Sequence, residues 1–241
     1  MCFRSLTVVV GANDERKSLI ATVDSVMNHC AADIDKILLV RPASVSDECT
    51  EAIRTLECKY PEVVEGFVQK RPYVGGAIRD GFDVAESSHI MLLPGDMAIS
   101  LDVVPVMIDG VKREPDMIHK VSRWLSKNSF HGYSSVKKAL NYFGQRFLSA
   151  LFRTAITDLT CPVQVMPNKL YRSIDWKELN FPFLEELVLV PLKTGVKIKE
   201  YPAECFGRIE GRSSNSAKQT VLYLKTALRI RFTPNEKLLK R

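Results

Sequence analysis

The chain has 241 residues, 46% hydrophobic, 26% charged and 8% aromatic, which excludes a disordered, collagenous or bare coiled-coil protein and fits one large or two small globular domains. A chain of this length buries roughly 70–75% of its unfolded surface and needs no staples; its six cysteines, never spaced Cys-x-x-Cys, read as reduced thiols, which excludes a zinc site or a disulfide framework. The formal charge of +6 is local, because residues 212–241 carry eight basic side chains against Glu236 alone and the remainder holds 26 basic against 27 acidic, so no nucleic-acid-coating surface is expected.

In chain order, the valines of residues 6–10 read as a buried strand, and Asp14, Glu15 and Arg16 follow too soon for a signal peptide. Further strand patterns lie at 36–40, 63–68, 90–93 and 117–121, while 15–29, 47–59, 76–86 and 101–113 carry apolar residues at helical spacing. Unbroken runs such as Ile37-Leu38-Leu39-Val40 suit strands covered on both faces. This βαβα rhythm predicts an α/β fold with an open, mostly parallel sheet and helices on both faces. After Arg123 the rhythm breaks into a polar stretch at 126–135 and a basic amphipathic helix over 136–157, with Leu140, Phe143, Phe147, Leu148, Leu151 and Phe152 on one side. That helix either packs on the domain or faces a membrane. A strand over 160–166, a helix over 184–194 and a strand over 196–201 complete the body. A basic amphipathic helix over 216–232 follows, and the final nine residues are expected to fray. The longest stretch without a charge, 159–168, is ten residues, short of the ~18 a span requires, so the expectation is a cytoplasmic protein, at most peripheral on the inner face of the cell membrane.

Ligands of such sheets bind beyond the carboxyl ends of the strands, which directs attention to the residues after each one. Gly11-Ala12-Asn13-Asp14-Glu15-Arg16 offers an acid to a ribose or base, or is a plain helix cap. Gly75 and Gly76 open a helix with Arg71 and Arg79 nearby, so their backbone can approach a phosphate or simply pack closely; this is neither a Walker loop nor a Gly-x-Gly-x-x-Gly fingerprint. Pro94-Gly95-Asp96 is turn chemistry, yet it also sets one carboxylate in the crevice, and a hard divalent cation binds through one or two carboxylates plus substrate phosphates.

Seven such segments in order, from about residue 6 to 214, resemble the family 2 glycosyltransferases of the GT-A fold, nearest to the dolichyl-phosphate mannose synthase and polyprenyl-phosphate glycosyltransferase branch. Residues 8–16 look like that family's opening strand and Asn-Glu-Arg turn, which places Glu15 on the nucleotide-contacting acid beside Gly11 and Asn13. Residues 74–82 are similar to its glycine-rich helix start, and Asp96 falls on the second Asp of its Asp-x-Asp metal motif. Val121-Ser122-Arg123 looks like Gly-Ser-Arg, Asp158-Leu159-Thr160 like Asp-x-Thr, and residues 181–186 like Phe-x-Phe-x-x-Glu, ending in Glu185 and Glu186. Residues 208–213 resemble its Arg-x-x-Gly-x-Ser loop, whose Arg contacts the diphosphate.

The resemblance implies a single GT-A domain, with a nucleotide-sugar half over 1–123, an acceptor half over 124–215 and a basic helix and tail over 216–241. It implies inverting transfer of a sugar from a nucleoside-diphosphate sugar to a lipid-phosphate or glycan acceptor, with Mg2+ or Mn2+ on Asp96. Asp96, Glu185, Glu186 and Arg208 would then be catalytic. The donor would be held by the segments carrying Gly11, Asn13, Glu15 and Arg41, by Arg71, Gly75, Gly76 and Arg79, by Gly95 and Asp96, and by Arg123, Arg208 and Ser213. The departures are Arg41-Pro42-Ala43-Ser44 in place of Asp-Asp-Gly-Ser, Pro94 in place of the first metal-side acid, and Leu184 at a polar position. They keep a second reading open, a degenerate GT-A protein that binds nucleotide or anionic membrane without turnover.

Overall fold

The β-branched and leucine-rich runs form β1 (Leu6–Gly11), β2 (Ile34–Arg41), β3 (Val64–Val68), β4 (His89–Pro94) and β5 (Ile118–Ser122), which β6 (Gln164–Pro167) and β7 (Ile198–Pro202) extend to one sheet of order β3-β2-β1-β4-β6-β5-β7. This is a computed structural model, and it describes residues 2–206 and 217–240. β6 alone runs against its neighbours, so six strands end on the same edge. Because β1 lies between β2 and β4, successive connections leave it in opposite directions, and a crevice opens at the carboxyl ends of β1 and β4.

Among the described residues eight α-helices cover the sheet: α1 (Lys17–Cys30), α2 (Asp47–Lys59), α3 (Tyr73–Val84), α4 (Val103–Arg113), α5 (Ser135–Phe152), α6 (Asn168–Ser173), α7 (Pro182–Lys193) and α8 (Ala217–Phe232). Leu6, Val8, Val10, Ile37 and Leu39 pack toward α1, α2 and α4, whereas Val9, Leu38 and Val40 pack toward α3, α6, α7 and α8. Cover on both faces is the reason the strands read as unbroken apolar runs. Local chemistry sets the helix ends. The Ser46 hydroxyl accepts from the Cys49 N–H at 3.2 Å with Asp47 and Glu48 in the first turn of α2, and Pro182 opens α7.

The later part departs from the sequence reading. α5 stops at Phe152, five residues early, because Arg153 adopts a left-handed conformation (φ 52°) and the Thr154 N–H closes the helix on the Ser149 carbonyl at 3.0 Å. The strand expected over 160–166 is ordered as a strand only from Gln164, and α6 was not foreseen at all. The last residues do not fray. Leu238 is buried, the Asp175 N–H bonds the Leu238 carbonyl at 2.9 Å, and the Lys240 N–H bonds the Ser173 carbonyl at 2.8 Å. Lys193 Nζ donates to the Ile230 and Arg231 carbonyls (2.7 and 2.9 Å) and to that of Thr233, fastening the end of α8. Among the described residues no helix is long and apolar enough to cross a membrane.

Two buried histidines fix the turn between α4 and β5: His89 Nε2 donates to the Pro115 carbonyl at 2.8 Å and His119 Nε2 to the Glu114 carbonyl at 2.9 Å. Burial holds both below the ordinary histidine range, so each stays neutral in the fold at pH values where the unfolded chain binds a proton. That stability is present above about pH 6.5 and is lost as pH falls through the folded values. The urea midpoint of the wild type, relative to that of His119→Gln, should therefore drop as pH is lowered from about 6.5 to about 5; a constant difference would contradict this assignment.

Candidate functional site

Gly11 and Pro94 lie opposite each other at the ends of β1 and β4, and the next residue, Gly95, passes so near that a Cβ there would stand 2.9 Å from the Gly11 carbonyl oxygen. Only glycine fits that crossing. The turn delivers Asp96, nearly buried, whose Oδ1 accepts from the Ala98 N–H at 3.1 Å while Met97 takes φ 53°. Across the crevice the Ala12 N–H bonds the Val40 carbonyl at 2.8 Å, and Glu15 folds back so that Oε2 accepts from the N–H groups of Asn13 (2.8 Å) and Asp14 (3.1 Å). The helix-cap alternative does not hold, since α1 begins at Lys17 and has no side-chain cap. Arg41 ends β2 with Nη1 turned onto the Pro42 carbonyl at 3.2 Å. Gly11, Asn13, Glu15, Arg41, Gly95 and Asp96 thus share one edge of the sheet. A cavity of about 490 Å³ opens beside the Asp96 turn, lined by Met97, Ile99, Ser100 and Phe206 among others.

The glycine-rich start of α3 goes to packing instead of to a phosphate cradle. A Cβ on Gly75 would lie 2.7 Å from the Asn180 carbonyl oxygen, and the Gly76 N–H donates to the Leu179 carbonyl at 2.9 Å. Arg71 Nη1 pairs with Asp80 (2.6 Å) and Asp83 (2.7 Å), and Arg79 Nη1 reaches the Glu178 carbonyl at 3.3 Å. Of the four residues expected around a phosphate, Gly75, Gly76 and Arg79 form the seam between α3 and the segment leading to α7, and Arg71 is paired with acids of α3 itself. Asp80 and Asp83 were overlooked; their i, i+3 spacing, which sets both carboxylates on one face of α3, was visible in the sequence.

Arg123 is likewise committed inward. Its Nε and Nη2 donate to the two oxygens of Asp158 at 2.7 and 2.9 Å, and Nη2 also reaches Thr160 Oγ1 at 3.2 Å. Burial opposes charge on Asp158, yet the Arg123 guanidinium holds its carboxyl well below the usual carboxylate range. Lys120, fully buried, donates from Nζ to the Asp158 and Val121 carbonyls. Its signal was a lysine inside an otherwise strand-like Ile118-His119-Lys120-Val121. Asp158→Asn should cost about 3–5 kcal/mol in denaturant unfolding, because it strands a buried guanidinium; a loss under about 1 kcal/mol would place the pair among surface ion pairs.

The two glutamates expected as general bases have different surroundings. Glu186, buried on α7, accepts from the Glu178 N–H (2.9 Å), the Lys177 N–H (3.2 Å) and Arg229 Nη2 on α8 (2.6 Å). It is an anchor between helices. Glu185 is fully buried, and neither carboxyl oxygen has a partner among the described residues. Burial, then the charges of Glu178 and Glu186, push its pKa up to about 9, so the carboxyl holds its proton at neutral pH. A raised carboxyl pKa contributes stability present below about pH 4.5 and lost as pH climbs toward 9. The stability of the wild type relative to Glu185→Gln should accordingly decline from pH 5 to pH 9 in calorimetric unfolding; parallel curves would mean that Glu185 is ionised in the fold.

Arg208 and Ser213 lie outside the described residues. The chain enters that stretch beside the crevice, with the Phe206 N–H bonded to the Ala98 carbonyl at 2.8 Å and the Cys205 N–H to the Ser129 carbonyl at 2.6 Å. Among the described residues no group of three or more His, Cys, Asp or Glu side chains could hold a metal ion.

No protein-family model matches the chain, and no curated protein sequence matches it. Solved structures do match. Glucosyl-3-phosphoglycerate synthase from Mycobacterium tuberculosis, in complex with Mn2+, uridine diphosphate and phosphoglyceric acid, superposes with a TM-score of 0.73 at 13% identity, covering 96% of this chain and 80% of that one. The same enzyme with Mn2+, uridine-diphosphate-glucose and phosphoglyceric acid gives 0.73 at 13%, covering 96% and 81%, and a further mycobacterial protein gives 0.72 at 15%, covering 97% and 76%. At that identity the likeness establishes the fold: the chain has the single-domain, mostly parallel α/β architecture of the GT-A glycosyltransferases.

Proposed function

We propose that this chain is a glycosyltransferase that moves a sugar from a nucleoside diphosphate to a lipid-phosphate acceptor. The observation that carries the reading is the placement of Asp96 at the point where the strand order reverses, one residue after Gly95 meets Gly11, in a fold whose neighbours hold Mn2+ with uridine diphosphate or uridine-diphosphate-glucose. Asp96 by itself does not make a protein-only metal site. It does fit a hard cation that takes its remaining oxygen ligands from a diphosphate and water. Asp96 would hold Mg2+ or Mn2+, which would supply positive charge to offset that of the departing diphosphate.

The acceptor class follows from the glutamates. An alcohol acceptor needs a general base, but Glu186 is engaged by three donors and Glu185 carries a proton at neutral pH. A phosphate oxygen is already anionic and attacks without one, and its direct displacement inverts the sugar carbon. A lipid-borne phosphate of this kind is met at a membrane surface, and the basic side chains of residues 212–241 other than Arg229, which pairs with Glu178 and Glu186, supply attraction for anionic headgroups, on the order of 1 kcal/mol each when held near the bilayer.

A second reading, a degenerate GT-A protein that binds nucleotide without turnover, is favoured by the lone carboxylate and by Arg41 where an acid is expected. Titration calorimetry with UDP and GDP separates the metal question from turnover. One nucleotide should bind with Mn2+ and lose most affinity in EDTA or in Asp96→Asn, and at 100 times its Kd it should add about 2.7 kcal/mol of stability. Equal binding in EDTA would remove the metal from Asp96. Tight binding with no sugar transferred to a polyprenyl phosphate would favour the non-catalytic reading.

A further inference from the structure

α5 divides its apolar residues between two faces. Its inward face sets Leu148, Leu151 and Phe152 against the core and adds hydrogen bonds: buried Gln145 donates from Nε2 to Thr160 Oγ1 (2.7 Å) and accepts at Oε1 from the Leu159 N–H (2.8 Å). The Ser149 hydroxyl donates to the Gln145 and Ile156 carbonyls (2.8 and 2.7 Å), and Trp124 Nε1 donates to Asn141 Oδ1 (3.2 Å). The outward stripe is apolar. Val136, Leu140, Phe143 and Phe147 recur at i, i+4, i+7 and i+11 with exposures from 50% at Phe147 to 69% at Val136.

α8 also carries apolar residues on both its inner and outer sides. Thr226, Ala227 and Ile230 face inward, whereas Val221, Leu224, Leu228 and Phe232 are exposed, from 38% at Leu228 to 76% at Phe232. The two helices meet where Arg231 Nε donates to the Leu151 carbonyl at 2.9 Å, so the stripes lie on neighbouring elements. Single exposed apolar residues are ordinary; two periodic rows on adjoining helices are not scatter. Neither helix contains an Asp or Glu, while Lys137, Lys138 and Arg146 flank the α5 row and Lys225 the α8 row.

We propose that the outward faces of α5 and α8 insert together into the boundary between headgroups and acyl chains of an anionic bilayer. A second copy of the chain would set one basic rim against another, whereas anionic headgroups complement it. Because the inward stripe of α5 binds Leu159 and Thr160 at the carboxyl edge of the sheet, insertion brings that edge to the membrane. The inference rests on the peripheral attachment proposed above and is independent of sugar transfer; it adds that attachment is apolar as well as electrostatic.

Co-sedimentation of the full chain with phosphatidylcholine vesicles, with and without phosphatidylglycerol, tests it. The wild type should bind the phosphatidylglycerol vesicles and remain partly bound at high salt. Phe143→Ser combined with Phe147→Ser should lower the partition constant about tenfold at high salt with an unchanged thermal midpoint, since both side chains are exposed. Full release of the wild type by salt, with the double variant binding equally well, would leave attachment by charge alone and overturn the insertion while sparing the membrane reading. Absence of binding to phosphatidylglycerol vesicles at low salt would end both. A concentration-dependent dimer that the double variant loses in size-exclusion chromatography would assign the face to a second copy and overturn the proposal.

Discussion

A single buried carboxylate, Asp158, organises the carboxyl edge of the sheet. It holds Arg123 at the end of β5, accepts the Cys161 and Thr160 N–H groups at 3.0 and 3.3 Å, and through its own carbonyl takes the Lys120 ammonium. Thr160 then passes the connection to Gln145 on α5, and the Asp158 N–H reaches Glu200 on β7 at 2.9 Å. Two strands, a helix and the lead into β6 are therefore positioned by one desolvated ion pair and its satellites. Such a pair adds little net stability over apolar packing, but once buried it tolerates little displacement, because any shift leaves a charge unpaired. The edge beside the crevice is rigid for this reason.

The same economy of charge runs through the region around the crevice. Arg71 is held by Asp80 and Asp83, Arg123 by Asp158, and Arg229 by Glu178 and Glu186, while Arg79 reaches a backbone carbonyl. Arginines near strand ends suggested phosphate contacts, yet these cations neutralise acids that the fold itself buries. A diphosphate arriving at Asp96 would bring negative charge to a negative side chain. Within the proposed reading, a divalent cation is what makes that meeting favourable, so the commitment of the arginines and the requirement for metal are two consequences of one distribution of charge.

The mostly parallel sheet was legible because cover on both faces imposes long apolar runs such as Ile37-Leu38-Leu39-Val40, whereas the order of its strands was not. The Pro94-Gly95-Asp96 turn was legible as turn chemistry, and the structure sets it at the carboxyl end of β4. Where the reading failed, two physical explanations shared one pattern. Gly75 and Gly76 suit a phosphate and a close helix contact equally, and only the Asn180 backbone 2.7 Å away decides for the contact. Periodicity gave α5 as amphipathic without saying which face turns inward. The structure turns Leu148, Leu151 and Phe152 inward with Gln145 and Ser149, which find carbonyl and hydroxyl partners that no isolated helix reveals, and leaves Leu140, Phe143 and Phe147 outside. The C-terminal residues showed no pattern, since their order comes from the distant Lys193 and Ser173.

Glu185 and Glu186 show how far adjacent identical side chains can diverge. On a helix, neighbouring positions point about a quarter-turn apart, so one carboxyl meets two backbone N–H groups and Arg229 while the other meets an apolar interior near Tyr223. For Glu186 those donors and Arg229 work against the burial that would otherwise neutralise it; for Glu185 nothing among the described residues does, and the proton stays. A neutral carboxyl can donate a hydrogen bond but cannot take a proton from an alcohol. Only a cation brought close enough to stabilise its ionised form would change that. Within the proposed reading, the protonated Glu185 and the engaged Glu186 favour an acceptor whose attacking oxygen needs no base.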